Sequence, residues 1–226
     1  KMFVDVIKSI VQEETSIFYI HSSPTRGDDL LFDLPNLDFY LDRHYWEVWH
    51  GYKPITNYKN ITPRLLTEFG IGAFPLKENL TKFLKKEDLY LESPVLISHH
   101  KDPSNSLEKI TFYQNSLYKK AKSFNDYVDK SLLAQAEGIK IAVEHTRWIQ
   151  DLCSGAIYWM INDCWPCISW SGIDYYSGLK PLMYYAKKFF APVLVLIDEK
   201  ENQLIVKISN TSNQEINHTI NYKYMD

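Results

Sequence analysis

In Arg64-Leu-Leu-Thr-Glu-Phe-Gly70 a short apolar run stops at an acid, Glu68, and a glycine follows two residues later. A buried parallel strand reads as a few consecutive apolar residues, and a glycine just past its end frees the backbone to turn. A carboxylate at that point falls on the C-terminal rim of a sheet, where α/β barrels carry their chemistry. The same residue also suits an N-cap or a rim salt bridge. About ninety residues on, Gly155-Ala-Ile-Tyr-Trp-Met-Ile-Asn-Asp-Cys-Trp-Pro166 repeats the pattern, an apolar run ending in the polar pair Asn162 and Asp163 and carrying Trp159 and Trp165.

Together these stretches resemble the glycoside hydrolases of the β-galactosidase, β-glucuronidase and β-mannosidase type, and within that family the β-mannosidases. The likeness extends to His44-Tyr-Trp-Glu-Val-Trp-His-Gly51, Phe74-Pro75, His99-His100, Ser169-Trp-Ser-Gly-Ile-Asp-Tyr175 and Lys188-Phe-Phe-Ala-Pro-Val-Leu194. Retaining glycoside hydrolysis uses two carboxyl groups roughly 5–5.5 Å apart, one as nucleophile and one as acid and then base. The resemblance implies that Glu68, closing barrel strand seven, is the nucleophile. It implies that the stretch around Trp159, closing strand eight, lines the pocket. The family's acid/base follows an Asn at the end of strand four, and no Asn-Glu pair occurs in this chain. Glu47, Glu92, Glu137 and Glu144 lack a strand-end context and read as helix or loop surface charges.

Each remaining candidate has two readings. Trp159 is barrel filler or, by resemblance, a platform under the sugar ring. Asn162 and Asp163 hold sugar hydroxyls or cap the turn. His44 and Trp46 alternate on one strand and so point to one face, for sugar contact or for structural hydrogen bonds. Trp165 reads as loop packing, and Trp49 is a weaker candidate for the pocket. Adjacent His99 and His100 cannot share one face of a regular element as zinc-binding histidines at i, i+4 do, so they read as a loop beside the pocket. No metal and no organic cofactor is expected.

Composition narrows the alternatives. The chain has 226 residues, 45% hydrophobic, with a formal charge of −3. That balance leaves no electrostatic footprint for nucleic acid or an acidic membrane. The aromatic share of 15%, with 16 Tyr and 6 Trp, suits a core and also a sugar pocket, where rings cover apolar C–H faces. Cys164-Trp-Pro-Cys167 has redox spacing, but a redox pair wants its first thiol at a helix N-terminus and this one follows a strand. Free thiols lean toward a reducing compartment. The N-x-S/T triplets at Asn60, Asn79, Asn210 and Asn217 point instead to a secretory or lysosomal route, and the compartment stays open. No apolar run reaches the length of a membrane span.

The supporting elements follow from periodicity. Phe3, Val6, Ile7, Ile10 and Val11 predict a helix packed by one face. Ile17 to Ile20 and Asp38 to Trp46 read as strands, with a loop from Gly27 to Pro35 between them and another from Asn57 to Pro63 after them. A short helix around Leu76 to Leu84, a long one through Leu132, Ala136, Ile139 and Val143, a strand Ala156 to Ile161 and a helix Leu182 to Phe190 complete an α/β alternation. From Pro192 the texture turns all-β, with strands at Val193 to Ile197, Gln203 to Ser209 and Thr219 to Tyr224.

Four strands of barrel type are too few for an eight-stranded barrel of roughly 250 residues. The resemblance makes 1–191 the C-terminal half of a (β/α)8 TIM barrel, about strands 5–8, and 192–226 the start of a β-sandwich. It implies a retaining exo-β-mannosidase acting on oligosaccharide or glycoside substrates. Its rivals are another exo-glycosidase of the same type, for β-galactoside, β-glucuronide or β-glucosaminide, and a non-catalytic carbohydrate-binding fragment lacking its acid/base. The expected partner is the N-terminal half of the barrel, or a second copy joined through open sheet edges.

Overall fold

The computed structural model describes residues 1–17, 19–24, 42–201, 203–217 and 219–220. Expectations that fall on 25–41, including the loop Gly27 to Pro35 and the first part of the element Asp38 to Trp46, lie outside the described residues.

Three parallel segments form the centre. Strand β1 (Arg43–His44) pairs with β2 (Leu66–Glu68), Arg43 opposite Leu66 and His44 opposite Glu68. On the other side of β2, Leu66 N donates to Gly155 O at 3.0 Å, Ile157 N to Leu66 O at 2.7 Å, and Trp159 N to Phe69 O at 2.8 Å. Leu66 and Phe69 are buried, so β2 is the covered middle segment, and the pairing puts Glu68, His44 and Trp159 at one end of the sheet. The helices α2 (Lys77–Leu80), α3 (Pro94–Ser98), α4 (Ser106–Leu117), α5 (Phe124–Trp148) and α6 (Pro181–Phe189) follow in chain order around this centre.

The long helix α5 fixes what lies beyond β2. Ser123 caps its start by accepting from Asp126 N at 3.2 Å, satisfying one of the free N–H groups of the first turn. Val128, Leu132, Gln135, Ala136, Ile139 and Val143 are buried at the spacing of one helical face. Gln135 donates from Nε2 to Ile71 O at 2.9 Å and to Ser171 O at 3.2 Å. A Cβ at Gly138 would stand 2.1 Å from Ile71 Cδ1, so its absence lets the helix lie close on the chain just past Glu68.

Beyond α6, β3 (Val193–Lys200) and β4 (Gln203–Asn210) form an antiparallel hairpin in continuous register from Val193↔Asn210 to Lys200↔Gln203. Buried Arg147, in the last turn of α5, joins the hairpin to the rest. It donates to Ser209 Oγ at 3.0 Å and Ser209 O at 3.2 Å, to Phe189 O at 2.8 Å, and to Ala191 O and Pro192 O.

Several expectations need correction. The opening helix forms, π-helical over Met2–Ile7 and then α1 (Lys8–Glu14), but buries none of its residues. Phe3 is 60% exposed and Val6 and Ile10 are also exposed, so only Ile7 and Val11 of the predicted apolar face are even half-buried. Ile17, Tyr19 and Ile20 make no strand; an extended segment becomes one only beside a partner ladder, and Ile17 is 70% exposed. The strand expected over Ala156 to Ile161 shrinks to a bridge at Ala156 and the hydrogen bonds from Ile157 N to Leu66 O and from Trp159 N to Phe69 O, with Ile157 59% exposed. Within the expected loop Asn57 to Pro63, the first residues belong to a 3₁₀ helix, Ile55–Asn60. Thr219 and Ile220 are not strand, and 221–224 lie outside the described residues. Helices α3 and α4 had no counterpart in the sequence reading. Among the described residues no helix is long and apolar enough to cross a membrane.

Candidate active site

Glu68 ends β2 with its side chain about three-quarters shielded. Trp46 Nε1 donates to its Oε1 at 2.9 Å, and His44 Nδ1 lies 3.7 Å from its Oε2. The two-residue alternation that put His44 and Trp46 on one face therefore brings both onto one carboxylate. Tyr45 N donates to Glu68 O at 2.7 Å, which locks the backbone from which these side chains project. An open hollow of about 460 Å³ adjoins them, lined by His44, Trp46, Glu47 and His50 among others. A larger hollow of about 510 Å³, lined by Lys59, Glu144, His145, Trp148 and Asp198 among others, shares no residue with this one.

Behind His44 lies a polar cluster. Ser23 Oγ sits 2.9 Å from His44 Nε2 and donates to Asp42 Oδ2. Thr67, on β2, donates to the same oxygen at 2.8 Å. Asp42 is buried, and sequence reasoning gave no signal for it or for Ser23.

Gly70 explains how the tryptophans gather. A Cβ there would meet Trp159 O at 2.5 Å, Trp170 Cδ1 at 3.1 Å and Trp46 Cη2 at 3.2 Å. A side chain would push apart all three, so glycine is required for close approach rather than for its conformational freedom. Trp46 and Trp170 meet edge to face with centroids 5.9 Å apart. In the sequence Trp170 stands out only as part of the stretch Ser169–Tyr175, and its Nε1 is buried without a partner among the described residues. Trp159 leaves 42% of its surface exposed, and the Trp159–Met160 peptide bond is cis.

Other candidates fall away from the carboxylate. Of its two readings the structure favours the local one for Asp163, a buried anchor of its loop: it accepts from Ser169 Oγ at 2.7 and 2.9 Å, from Ser171 Oγ and from the Cys167 thiol. Two serines and a thiol occupy its lone pairs, which leaves it no reach toward solvent. Burial, then the Asp163 charge, pushes the Cys167 thiol up to about 12. Cys153 is also buried, Cys164 is exposed, and all three cysteines are free. Asn162 is exposed beside Asp163. Trp49 is fully buried and donates to Asp102 Oδ2 at 3.0 Å, while Trp165 stacks on His99 at 5.7 Å. His100 points into the core with Nδ1 on Ser106 Oγ, and burial holds it down at about 4. Among the described residues no three His, Cys, Asp or Glu side chains gather in a way that could hold a metal ion.

No protein-family model matches the chain. Among curated proteins, β-mannosidase B of Aspergillus terreus is 29% identical over 199 residues, 86% of this chain and 23% of that protein. β-Mannosidase B of Neosartorya fischeri is 25% identical over 242 aligned positions, 99% of this chain and 28% of that protein. Among solved structures, a β-D-mannosidase from Dictyoglomus thermophilum superposes with a TM-score of 0.83 at 32% identity, covering 93% of this chain and 26% of that one. The exo-chitosanase of Amycolatopsis orientalis, 20% identical with a TM-score of 0.55 over 74% of this chain and 21% of its own, speaks to the fold alone. The chain spans about a quarter of the length of the curated relatives it matches.

Proposed function

Because the chain belongs to the β-mannosidase-type glycoside hydrolases, we propose that it carries the nucleophile of a retaining exo-β-mannosidase. The observation that supports this most is the fixed Glu68 carboxylate at the end of β2, held by Trp46 at the same end of the sheet as the exposed face of Trp159. Glu68 attacks the anomeric carbon of a terminal β-D-mannoside, the bond to the leaving oxygen breaks, and a glycosyl ester forms. A second carboxyl group protonates that oxygen and then activates the water that cleaves the ester.

In this reading 1–191 is the C-terminal half of a (β/α)8 barrel and 192–226 opens a β-sandwich. The second carboxyl group and the rest of the sugar rim come from a segment outside the 226 residues. Trp159 lies under the ring as an apolar platform, and Asn162, exposed at the same stretch, reaches a hydroxyl. A sugar-binding piece without hydrolysis is the second reading for the 226 residues alone. It is favoured by the burial of Asp163, the one other acid in the two strand-end stretches.

The test is a panel of nitrophenyl β-glycosides with the full-length protein and its Glu68→Gln variant. Hydrolysis of the β-mannoside, abolished in Glu68→Gln, is the expected result. Turnover that survives the substitution removes Glu68 as nucleophile. Hydrolysis of the galactoside, glucuronide or glucosaminide alone reassigns the sugar.

A further inference from the structure

We propose that Ser23 and Asp42 act through His44 to decide which oxygen of Glu68 is left free to attack, a role that rests on Glu68 being the nucleophile. Asp42 is 3% exposed and, as a carboxylate, only accepts hydrogen bonds. Ser23 Oγ and Thr67 Oγ1 both donate to its Oδ2, Thr67 at 2.8 Å. A hydroxyl has one proton, and a bond to a buried carboxylate is charge-assisted and outcompetes a neutral acceptor. With that proton committed to Asp42, Ser23 Oγ offers only lone pairs to His44 Nε2 at 2.9 Å. The ring must then carry its proton on Nε2.

In the neutral ring that tautomer leaves Nδ1 with a lone pair, and Nδ1 is the atom that faces Glu68 Oε2 at 3.7 Å. A distance of that size is beyond the ~3.2 Å limit of an N–H···O bond. The two oxygens of Glu68 are therefore unlike. Oε1 is anchored by the Trp46 indole at 2.9 Å, whereas Oε2 receives nothing from His44 and keeps its lone pair for the anomeric carbon. The opposite tautomer would aim an N–H at Oε2, and a small rotation of the ring or carboxylate from the 3.7 Å separation would then close a hydrogen bond on the attacking atom. Ser23 and His44 are thus positioning residues: neither bonds to the sugar in this role, and both act through Glu68.

The experiment uses the full-length enzyme and its Ser23→Ala, Ser23→Thr and His44→Phe variants. Nitrogen-15 spectra of the imidazole report which ring nitrogen carries the proton, and kcat and KM on a nitrophenyl β-mannoside report the consequence. The wild type should carry the proton on Nε2. Ser23→Ala should move it partly to Nδ1 and lower kcat by roughly ten- to a hundredfold, the range of one hydrogen bond to a charged group, with KM little changed. Ser23→Thr keeps the hydroxyl and should restore both readouts. In a His44→Phe background, where no ring N–H exists, Ser23→Ala should cost nothing further. A wild-type ring protonated on Nδ1, or the same loss from Ser23→Ala with and without His44, overturns the relay. Turnover surviving Glu68→Gln would remove the nucleophile and the relay's role with it. A wrong tautomer in an enzyme that Glu68→Gln does inactivate would remove the relay alone.

Discussion

The indole of Trp46 donates to Glu68 Oε1 at 2.9 Å, from a residue two places beyond the strand partner of Glu68. Parallel pairing and two-residue alternation are enough to bring this contact about, and it fixes the orientation of the carboxylate at the end of the sheet. Trp46→Phe keeps most of the ring and removes the donor. A hydrogen bond to a charged group contributes about 1.5–3 kcal/mol, so kcat should fall roughly ten- to a hundredfold while the thermal midpoint hardly moves. An unchanged kcat would show that the indole only fills space.

Two glycines separate close approach to a backbone from close approach to a side-chain tip. At Gly70 an added Cβ meets the Trp159 carbonyl at 2.5 Å, and at Gly138 it meets the Ile71 Cδ1 methyl at 2.1 Å. The methyl can rotate away; the carbonyl cannot move without its segment. Gly70→Ala should therefore cost about a hundredfold or more in kcat/KM by misplacing the rim. Gly138→Ala should change unfolding stability by no more than about 1 kcal/mol, since overpacking is offset by better helix propensity. Urea melts and initial rates on both variants check the contrast.

Arg147 gathers carbonyls from α6, from the junction at Ala191 and Pro192, and from β4. Arg147→Met leaves those buried acceptors unpaired, at about 1–3 kcal/mol for each group that water does not reach. A loss of about 3 kcal/mol or more is expected in chemical denaturation. Hydrogen exchange should rise first in Val193–Lys200 and Gln203–Asn210. Arg147→Lys should not rescue, because one ammonium cannot reproduce the planar fork.

Acid should weaken the wall behind Trp49 through Asp102. Burial pushes its carboxyl up, but Lys109, Ser104 and Trp49 together outweigh that and hold it down at about 2. The folded value lies below the unfolded one of 3.8, so the stabilisation is complete above that unfolded value and disappears as pH falls toward about 2. It amounts to about 2 kcal/mol. Urea midpoints at pH 6, 4 and 2.5 should show the decline, and Asp102→Asn should flatten it. A variant with the wild-type slope would exclude this carboxylate as the cause.

Apolar side chains at Phe3, Val6 and Ile10 on the opening helix, and at Ile157 and Ile161 beside the sheet, stand open to solvent. In light scattering the 226-residue chain alone should associate with itself or aggregate at micromolar concentration. A monodisperse monomer would refute that expectation.

Sequence made Glu68 visible because an apolar run, an acid and a glycine follow one another at a strand end, and the alternation of His44 and Trp46 is equally local. The helices α5 and α6 and the hairpin were legible for the same reason, each repeating one face over many residues. The two readings of Asp163 stayed open in the sequence because its role depends on Ser169 and Ser171 folding back over it, a tertiary fact with no period. Ser23, Asp42 and Arg147 carried no signal, since each acts on partners 19 or more residues away. Ile17 to Ile20 has strand composition, but a strand needs a neighbour and composition cannot supply one.

The burial of Cys167 against Asp163 has a practical side. Its thiol sits near 12 and Cys153 is also buried with its thiol raised, chiefly by burial, so neither offers thiolate to an alkylating reagent at neutral pH. Cys164 is the exposed cysteine, one residue from Asp163 and five from Trp159. A maleimide fluorophore should therefore attach at a single position with no cysteine removed, on the loop that follows the tryptophan. Sugar arriving over Trp159 would then change the colour or intensity of a dye whose place was chosen by the protein's own packing.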